Sequence, residues 1–273
     1  MRDNALGDVD FNVSASRIKK YKRCPKQYEL SYRRDLPGDD GNEYTVVGSL
    51  VHDAIENYLK DEHEGPFSSQ NRIARNLKHE YFKLEDEPEY DTALVGEDLR
   101  SDAVASLDKA AKALVMFDPD IRGVEVMSLF DVDQLKSTAL GYMDVCTQDE
   151  IWDWKTGKAP DTDGQDEDEV IQGSLYMGAF YNEYGVLPKK IRFLYIKAGE
   201  VRTLDASEDN WNRMLQHARR LVNGQRQDQF PAKPSRSKCH WCSFEQYCSA
   251  SPTSIKQVQD EIDSGNTDLW YSI

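Results

Sequence analysis

The sequence predicts an α/β fold of the α+β kind, with a mixed central β-sheet flanked by helices. Three observations carry that expectation. Helical spacing dominates up to Phe117, short β-type segments separated by polar turns follow Pro119, and the pattern then runs helix, strand, helix. Ser14-Ala-Ser-Arg-Ile-Lys-Lys-Tyr opens with hydroxyls suited to an N-cap, and Ile18, Tyr21, Tyr28 and Tyr32 recur at helical spacing. A helix is therefore expected over Ser16 to Arg33, with Pro25 as the point where it kinks or splits. The stripe Val47, Val51, Ala54, Ile55, Tyr58, Leu59 predicts a helix from Gly48 to Lys60. Two more are expected over Gln70 to Leu84 and Asp98 to Phe117. Gly123 to Phe130, Ala139 to Val145 and Glu150 to Lys155 read as a three-stranded meander. Val170, Ile171, Leu175, Ala179 and Phe180 then mark a helix from Asp166 to Tyr184. A buried strand over Lys190 to Lys197, a short one near Val201 and a helix over Asp209 to Val222 complete the pattern. No internal repeat is present, and the stretch from Ser251 to Ile273 reads as peripheral. Along the chain this gives a helical region (1–118), a sheet-bearing core (119–205) and a C-terminal helix with a cysteine-rich region (206–273), in one compact domain overall.

With 273 residues, 39% of them hydrophobic, the chain can bury a core. The N-terminal Met-Arg-Asp-Asn-Ala-Leu-Gly-Asp carries no segment that would enter or span a bilayer, so a cytoplasmic protein without membrane partners is expected. The net charge of -15 argues against a surface that binds polyanions everywhere. Its distribution is uneven. Ser14 to Arg34 holds eight basic residues against Glu29 alone, and Asn212 to Lys238 holds seven against Asp228 alone. Acids gather instead in Glu85 to Asp102 and Asp161 to Glu169, which leaves two positive islands.

In Gly141-Tyr-Met-Asp-Val-Cys-Thr-Gln-Asp-Glu-Ile-Trp-Asp-Trp-Lys-Thr-Gly157, an otherwise buried strand carries Asp153 and Lys155. Alternation puts Ile151, Asp153 and Lys155 on one face and Trp152 and Trp154 on the other, and groups Leu140, Tyr142, Asp144 and Cys146 on the strand before. A hairpin of the two strands brings Asp144 near Asp153. Carboxylates that close repel unless positive charge lies between them, and a divalent cation is the usual remedy. Lys155 beside it could hold a water or a developing negative charge, an arrangement suited to phosphodiester hydrolysis with Mg²⁺ or Mn²⁺. An ordinary Asp–Lys pair on a half-exposed hairpin is the plainer alternative, and residue types alone leave both open.

These residues resemble the RecB-like nucleases of the PD-(D/E)XK superfamily, whose pattern is an acid on one strand and acid-x-Lys on the next. The matching elements are Gly141-Tyr-Met-Asp144 and Asp153-Trp-Lys155-Thr-Gly157. Gly48-Ser-Leu-Val-His52 resembles the family's upstream Gly-x-x-x-His, and Gln172-Gly-Ser-Leu-Tyr176 its Gln-x-x-x-Tyr. The resemblance runs from Ser14 to Cys248 and implies a restriction-endonuclease-like core. It implies His52, Asp144 and Asp153 as ligands of Mg²⁺ or Mn²⁺, with the Trp154 carbonyl, and Lys155 as the group positioning the attacking water. Gln172 and Tyr176 would orient the substrate. The Pro-Asp dipeptide is missing, since Met143 precedes Asp144. Glu125 stands as either a further acid of the site or a structural residue.

Cys239, Cys242 and Cys248 form C-x2-C-x5-C, and Cys24 lies far upstream. Four thiols suit zinc or an iron-sulfur cluster, and spacing does not choose. The resemblance does, because the iron-sulfur branch of RecB-like nucleases, including CRISPR-associated single-domain exonucleases and the AddB subunit of helicase-nucleases, has one cysteine before the core and three after it. It implies a 4Fe-4S cluster clasping the N- and C-terminal segments together under a positive surface. Tyr21, Tyr28, Trp241, Phe244 and Tyr247 lie close by in sequence, either to stack bases or to pack around the cluster. Cys146 reads as a free thiol.

The resulting expectation is a metal-dependent DNA exonuclease that works from single-stranded ends, 5′ to 3′. No Gly-x-x-x-x-Gly-Lys-[Ser/Thr] stretch occurs, so unwinding would fall to a helicase, recombination or CRISPR-adaptation partner. Two rivals stand beside it: a non-catalytic DNA-binding subunit of CRISPR adaptation or phage recombination, and a zinc-stabilised nucleic-acid-binding module.

Overall fold

The computed structural model describes residues 13–34, 36, 43–61, 69–115, 121–161 and 164–252. The expected boundary at 118/119 and nearly all of the tail after Ser251 lie outside them. The chain divides into two compact units, one made of Met1–Ala15 with Gly41–Gln216 and the other of Ser16–Asp40 with His217–Ile273.

The first unit is built on a mixed sheet whose central member is the long strand β3 (Ser137–Thr147). Along one edge β3 pairs antiparallel with β2 (Ile121–Val132). Its other edge is shared. β1 (Val13–Ser14) pairs parallel with Ala139 and Leu140, and β4 (Glu150–Lys155) pairs antiparallel with Val145 and Cys146. β4 continues in parallel with β5 (Lys190–Tyr195), which pairs antiparallel with β6 (Glu200–Asp205). Glu200, Arg202 and Asp205 put charge on that last strand, which discourages pairing with another chain.

Three helices, α3 (Glu43–Asp61), α4 (Gln70–Glu85) and α5 (Glu97–Val115), form one apolar layer. Leu50, Ile55, Leu77, Leu107 and Leu114 pack there with Val145, Trp152, Trp154 and Leu194 of the sheet. α6 (Glu167–Tyr184) packs against β2, β3 and β5. Asp166 caps it by accepting from the N–H groups of Asp168 and Glu169, and Gly185 at φ +70° ends it in the left-handed conformation. The mixed sheet flanked by helices is thus the observed architecture.

In the second unit the expected helix over Ser16 to Arg33 is two helices, α1 (Ala15–Arg23) and α2 (Pro25–Tyr32). Proline at the first position of α2 forces the residue before it out of helical geometry, and Cys24 is extended at φ −160°, ψ 112°. α7 (Glu208–Arg226) runs from the first unit into the second, and the short α8 (Arg236–His240) precedes the last cysteines. The unit's interior is an aromatic stack in which the rings of Tyr28 and Phe230 lie 6.0 Å apart and Tyr21 meets Tyr28 edge-on at 5.7 Å. Gln225 Nε2 donates to the Tyr28 hydroxyl, which in turn ties α7 to α2. No helix among the described residues is long and apolar enough to cross a membrane.

Candidate active site

Asp144 on β3 and Asp153 on β4 are 3% and 2% exposed. The registered pairs of these strands are Val145–Trp152 and Cys146–Ile151, and one step further would set Asp144 opposite Asp153. The ladder stops short of that step. Asp144 Oδ2 accepts instead from the Trp154 backbone N–H at 2.9 Å, so a side chain takes up a donor at the point where the strands part.

Asp153 is held from two directions. Its Oδ1 accepts from the Tyr176 hydroxyl at 2.7 Å and from Gln172 Nε2 at 2.9 Å, while Oδ2 lies 2.5 Å from Lys155 Nζ. Lys155 Nζ also donates to Gln172 Oε1 at 2.8 Å, and Gln172 Nε2 donates to the Tyr176 oxygen. Gln172 and Tyr176 act as a pair because residues four apart share one helix face. A Cβ at position 141 would collide with Ala179 Cβ, so glycine there lets α6 lie directly on β3 and brings that face to Asp153. His52 arrives from α3, with Nδ1 3.6 Å from Asp144 Oδ2. A Cβ at position 48 would stand 3.2 Å from Thr156 Oγ1, so Gly48, one turn earlier, admits α3 close to the end of β4.

The expected alternation on β3 is interrupted. Gly141 meets Ala179 of α6, yet Cys146, of opposite parity, interacts with Tyr184 of the same helix, and its sulfur lies 3.6 Å from that of Met143. Leu140, Tyr142, Asp144 and Cys146 therefore do not form one row. The strand across the ladder is irregular at the same place. Val124–Val145 and Val126–Met143 are paired, which sets Glu125 opposite Asp144, and Glu125 adopts φ +53° in the middle of β2. A non-glycine residue in the left-handed region of a strand is strained by about 1–3 kcal/mol and reorients its side chain. Nothing in the residue type announces this, and strand periodicity points the other way.

Electrostatics tie Glu125 to the site. Burial, then the charge of Asp153, then that of Glu125 push the Asp144 carboxyl well above the usual carboxylate range, against the Trp154 N–H and Lys155. Burial and the neighbouring acids Asp153 and Asp144 likewise push the Tyr176 phenol up, so it stays a hydroxyl donor. Burial pushes the Cys146 thiol up to about 12.

Two buried carboxylates and an imidazole are donors suited to a hard divalent cation, and two buried acids within electrostatic reach of one another are a setting that such a cation would stabilise. The residue types therefore fit such an ion. Among the described residues, however, no group of three or more His, Cys, Asp or Glu stands in a ready ligating arrangement, so binding would entail adjustment of these side chains.

The second unit gathers the remaining candidates. Cys24, Cys239, Cys242 and Cys248 all line one cavity of about 30 Å³. The extended backbone at Cys24 presents its sulfur to the Lys233 N–H at 3.4 Å, and tight turns hold the other three. Burial, with a contribution from Cys24 and Cys239, raises the Cys242 thiol. Four thiols on one cavity suit a thiolate-bound metal in donor type, but among the described residues they do not stand in a ready ligating arrangement. The five aromatics part company: Tyr21, Tyr28 and Phe244 are buried, whereas Trp241 is 75% and Tyr247 41% exposed. Both positive islands contribute to this unit. Eight basic residues from Arg17 to Arg34 and six from Arg219 to Lys238 stand against Glu29, Asp228 and Glu245 among its described residues.

A mixed sheet with an acid on one strand, acid-x-Lys on the next and Gln-x-x-x-Tyr on the helix across them keeps the resemblance to PD-(D/E)XK nucleases that the sequence carries. A family model of the PD-(D/E)XK nuclease superfamily matches residues 12–249, and the chain belongs to that superfamily. Nucleic acid is accordingly its class of substrate. Among solved structures, the crystal structure of a "Putative exonuclease" from Eubacterium rectale is 12% identical, covering 89% of this chain and 91% of that one at a TM-score of 0.51, a likeness of fold. The crystal structure of SSO0001 is 16% identical over 74% of this chain and 95% of that one, with a TM-score of 0.38. No curated protein matches the chain.

Proposed function

We propose that the protein is a metal-dependent DNA exonuclease of the RecB-like, iron-sulfur kind, cutting phosphodiester bonds from single-stranded ends in the 5′ to 3′ direction. The observation that carries this reading is the hydrogen-bonded group of Asp153, Lys155, Gln172 and Tyr176, with the Asp144 carboxyl held by the Trp154 N–H within electrostatic reach of Asp153. His52, Asp144 and Asp153 would hold Mg²⁺ or Mn²⁺, which when bound neutralises charge on the scissile phosphate and acidifies water. Lys155 orients the attacking water and offsets charge developing on the phosphate. Tyr176 and Gln172 fix Asp153, and by exchanging partners they can donate to a phosphate oxygen. The basic second unit tracks the strand's phosphates. Cys24, Cys239, Cys242 and Cys248 would hold a 4Fe-4S cluster that crosslinks stretches more than two hundred residues apart.

The test is digestion of end-labelled single-stranded oligonucleotides, blocked at one or other end, with Mn²⁺. Loss of label from free 5′ ends by the wild type and none by Asp153→Asn supports the reading. Equal cleavage by both proteins, or none by either, overturns it in favour of a non-catalytic subunit. Anaerobic purification tests the cluster separately: a colourless, zinc-containing protein refutes it and favours a zinc-stabilised module.

A further inference from the structure

Below the C-terminal half of α6 the first unit carries a second cavity, of about 590 Å³, well within the size range of ligand sites. Phe130 from the end of β2, Tyr181 from α6 and Trp211 from α7 give it aromatic walls, and Leu187 from the loop after α6 adds an aliphatic edge. Its rim holds Asp131, Asp133 and Glu208, while no Lys or Arg lines it. It shares no residue with the acid–lysine site.

Two properties say what fits. Tyr181 is 56% and Leu187 58% exposed, and Val186 beside them 49%, so large apolar surface is left open to water around the cavity mouth. Neither Asp133 nor Glu208 forms an ion pair with a described residue, and Asp131 is steadied by the Thr138 hydroxyl, which donates to its Oδ1 at 3.0 Å. Aromatic rings and carboxylates lining one cavity attract a cation on an apolar stem, since a guanidinium or ammonium gains both from ring faces and from acids. The same carboxylates repel phosphate, which excludes the nucleic-acid strand as occupant.

We infer that this cavity is a docking site for a short segment of a partner polypeptide that presents Arg or Lys between apolar side chains. The occupant's charge is complementary to the three rim acids, and its apolar residues cover Tyr181, Val186 and Leu187. The site is independent of the reaction proposed above, so it stands or falls without it.

A fluorescein-labelled, amidated hexapeptide of alternating leucine and arginine is the probe, with anisotropy as the readout. Saturable binding to the wild type is expected. Tyr181→Ala, and separately the pair Asp131→Asn and Asp133→Asn, should each weaken it by about tenfold, while thermal unfolding stays unchanged because these side chains are exposed. Equal binding by wild type and variants overturns the inference, because the peptide then sits elsewhere on an acidic protein. Equal binding of a matched peptide with serine in place of leucine also overturns it, as charge alone would then suffice. Self-association of the protein that Leu187→Arg abolishes would assign the surface to a second copy and overturn it too.

Discussion

The acid site of the first unit and the cysteine cavity of the second differ in what holds them. Around Asp144 and Asp153 the supports are side chains and backbone of the sheet and helices with a large apolar layer behind them: Trp154 N–H, Tyr176, Gln172 and Lys155 fix the two carboxylates. Around Cys24, Cys239, Cys242 and Cys248 the supports are short turns, the five-residue α8 and a small aromatic stack. The first site is preorganised by burial and stores electrostatic tension as a consequence. The second has little apolar core behind it, and under the function proposed above a cluster held by the thiols would supply its order. Preorganisation by a core and order supplied by a ligand are two routes to one end, and they fail differently.

The largest effect should come from Asp153→Asn, which keeps the shape of the side chain and removes its charge. Activity should fall on the order of a thousandfold, equivalent to about 4 kcal/mol of transition-state stabilisation, with the unfolding midpoint nearly unchanged. A collapse of stability instead would mean that Asp153 serves the fold. Cys248→Ser should act the other way. Hydrogen exchange across Arg236 to Ser251 should accelerate by about a hundredfold, about 2.7 kcal/mol, while amides of β3 and β4 keep their protection. Equal loosening of the strands would break the comparison, because the two regions would then open as one.

Glu125→Gly probes the strained residue. Glycine tolerates φ +53°, so the protein should gain about 1 kcal/mol, and loss of the third acid should lower activity by about tenfold, read from single-turnover cleavage. Unchanged activity would reduce Glu125 to a structural role. The smallest effect concerns pH. Asp144 holds its proton more tightly folded than unfolded, because burial and Asp153 raise it. Without divalent ions, stability should therefore be full below the ordinary carboxylate value of about 3.9 and decline as pH rises from there through the raised native value. Asp144→Asn should remove that slope and melt about 3 °C higher at pH 8 in the presence of chelator. A lower melting temperature would show that the ionised carboxylate stabilises the fold through Trp154.

Much of this was legible because it is local. Helical spacing marked α3 to α7, short β-type segments between polar turns marked β2 to β4, a buried apolar run marked β5, and Pro25 marked the split that leaves Cys24 extended. Strand and helix repeats suggested which side chains share a face within one element, while the family resemblance was what joined Gln-x-x-x-Tyr to the acids. β1 escaped notice, since two residues carry no periodicity and pair only with a strand more than a hundred positions away.

What remained was settled by contacts between distant segments. Glu125 is left-handed at the position facing Asp144, and no property of glutamate foretells it. Of five aromatics near the cysteines, those that meet α7 and Phe230 are buried and Trp241 is not, a choice made by neighbours far along the chain. The sequence by itself determined which elements form and which chemical groups they carry, because propensity and periodicity act over a few residues. Only the tertiary structure decided how the strands part at Asp144 and which groups face one another there, because burial and charge depend on everything packed around them.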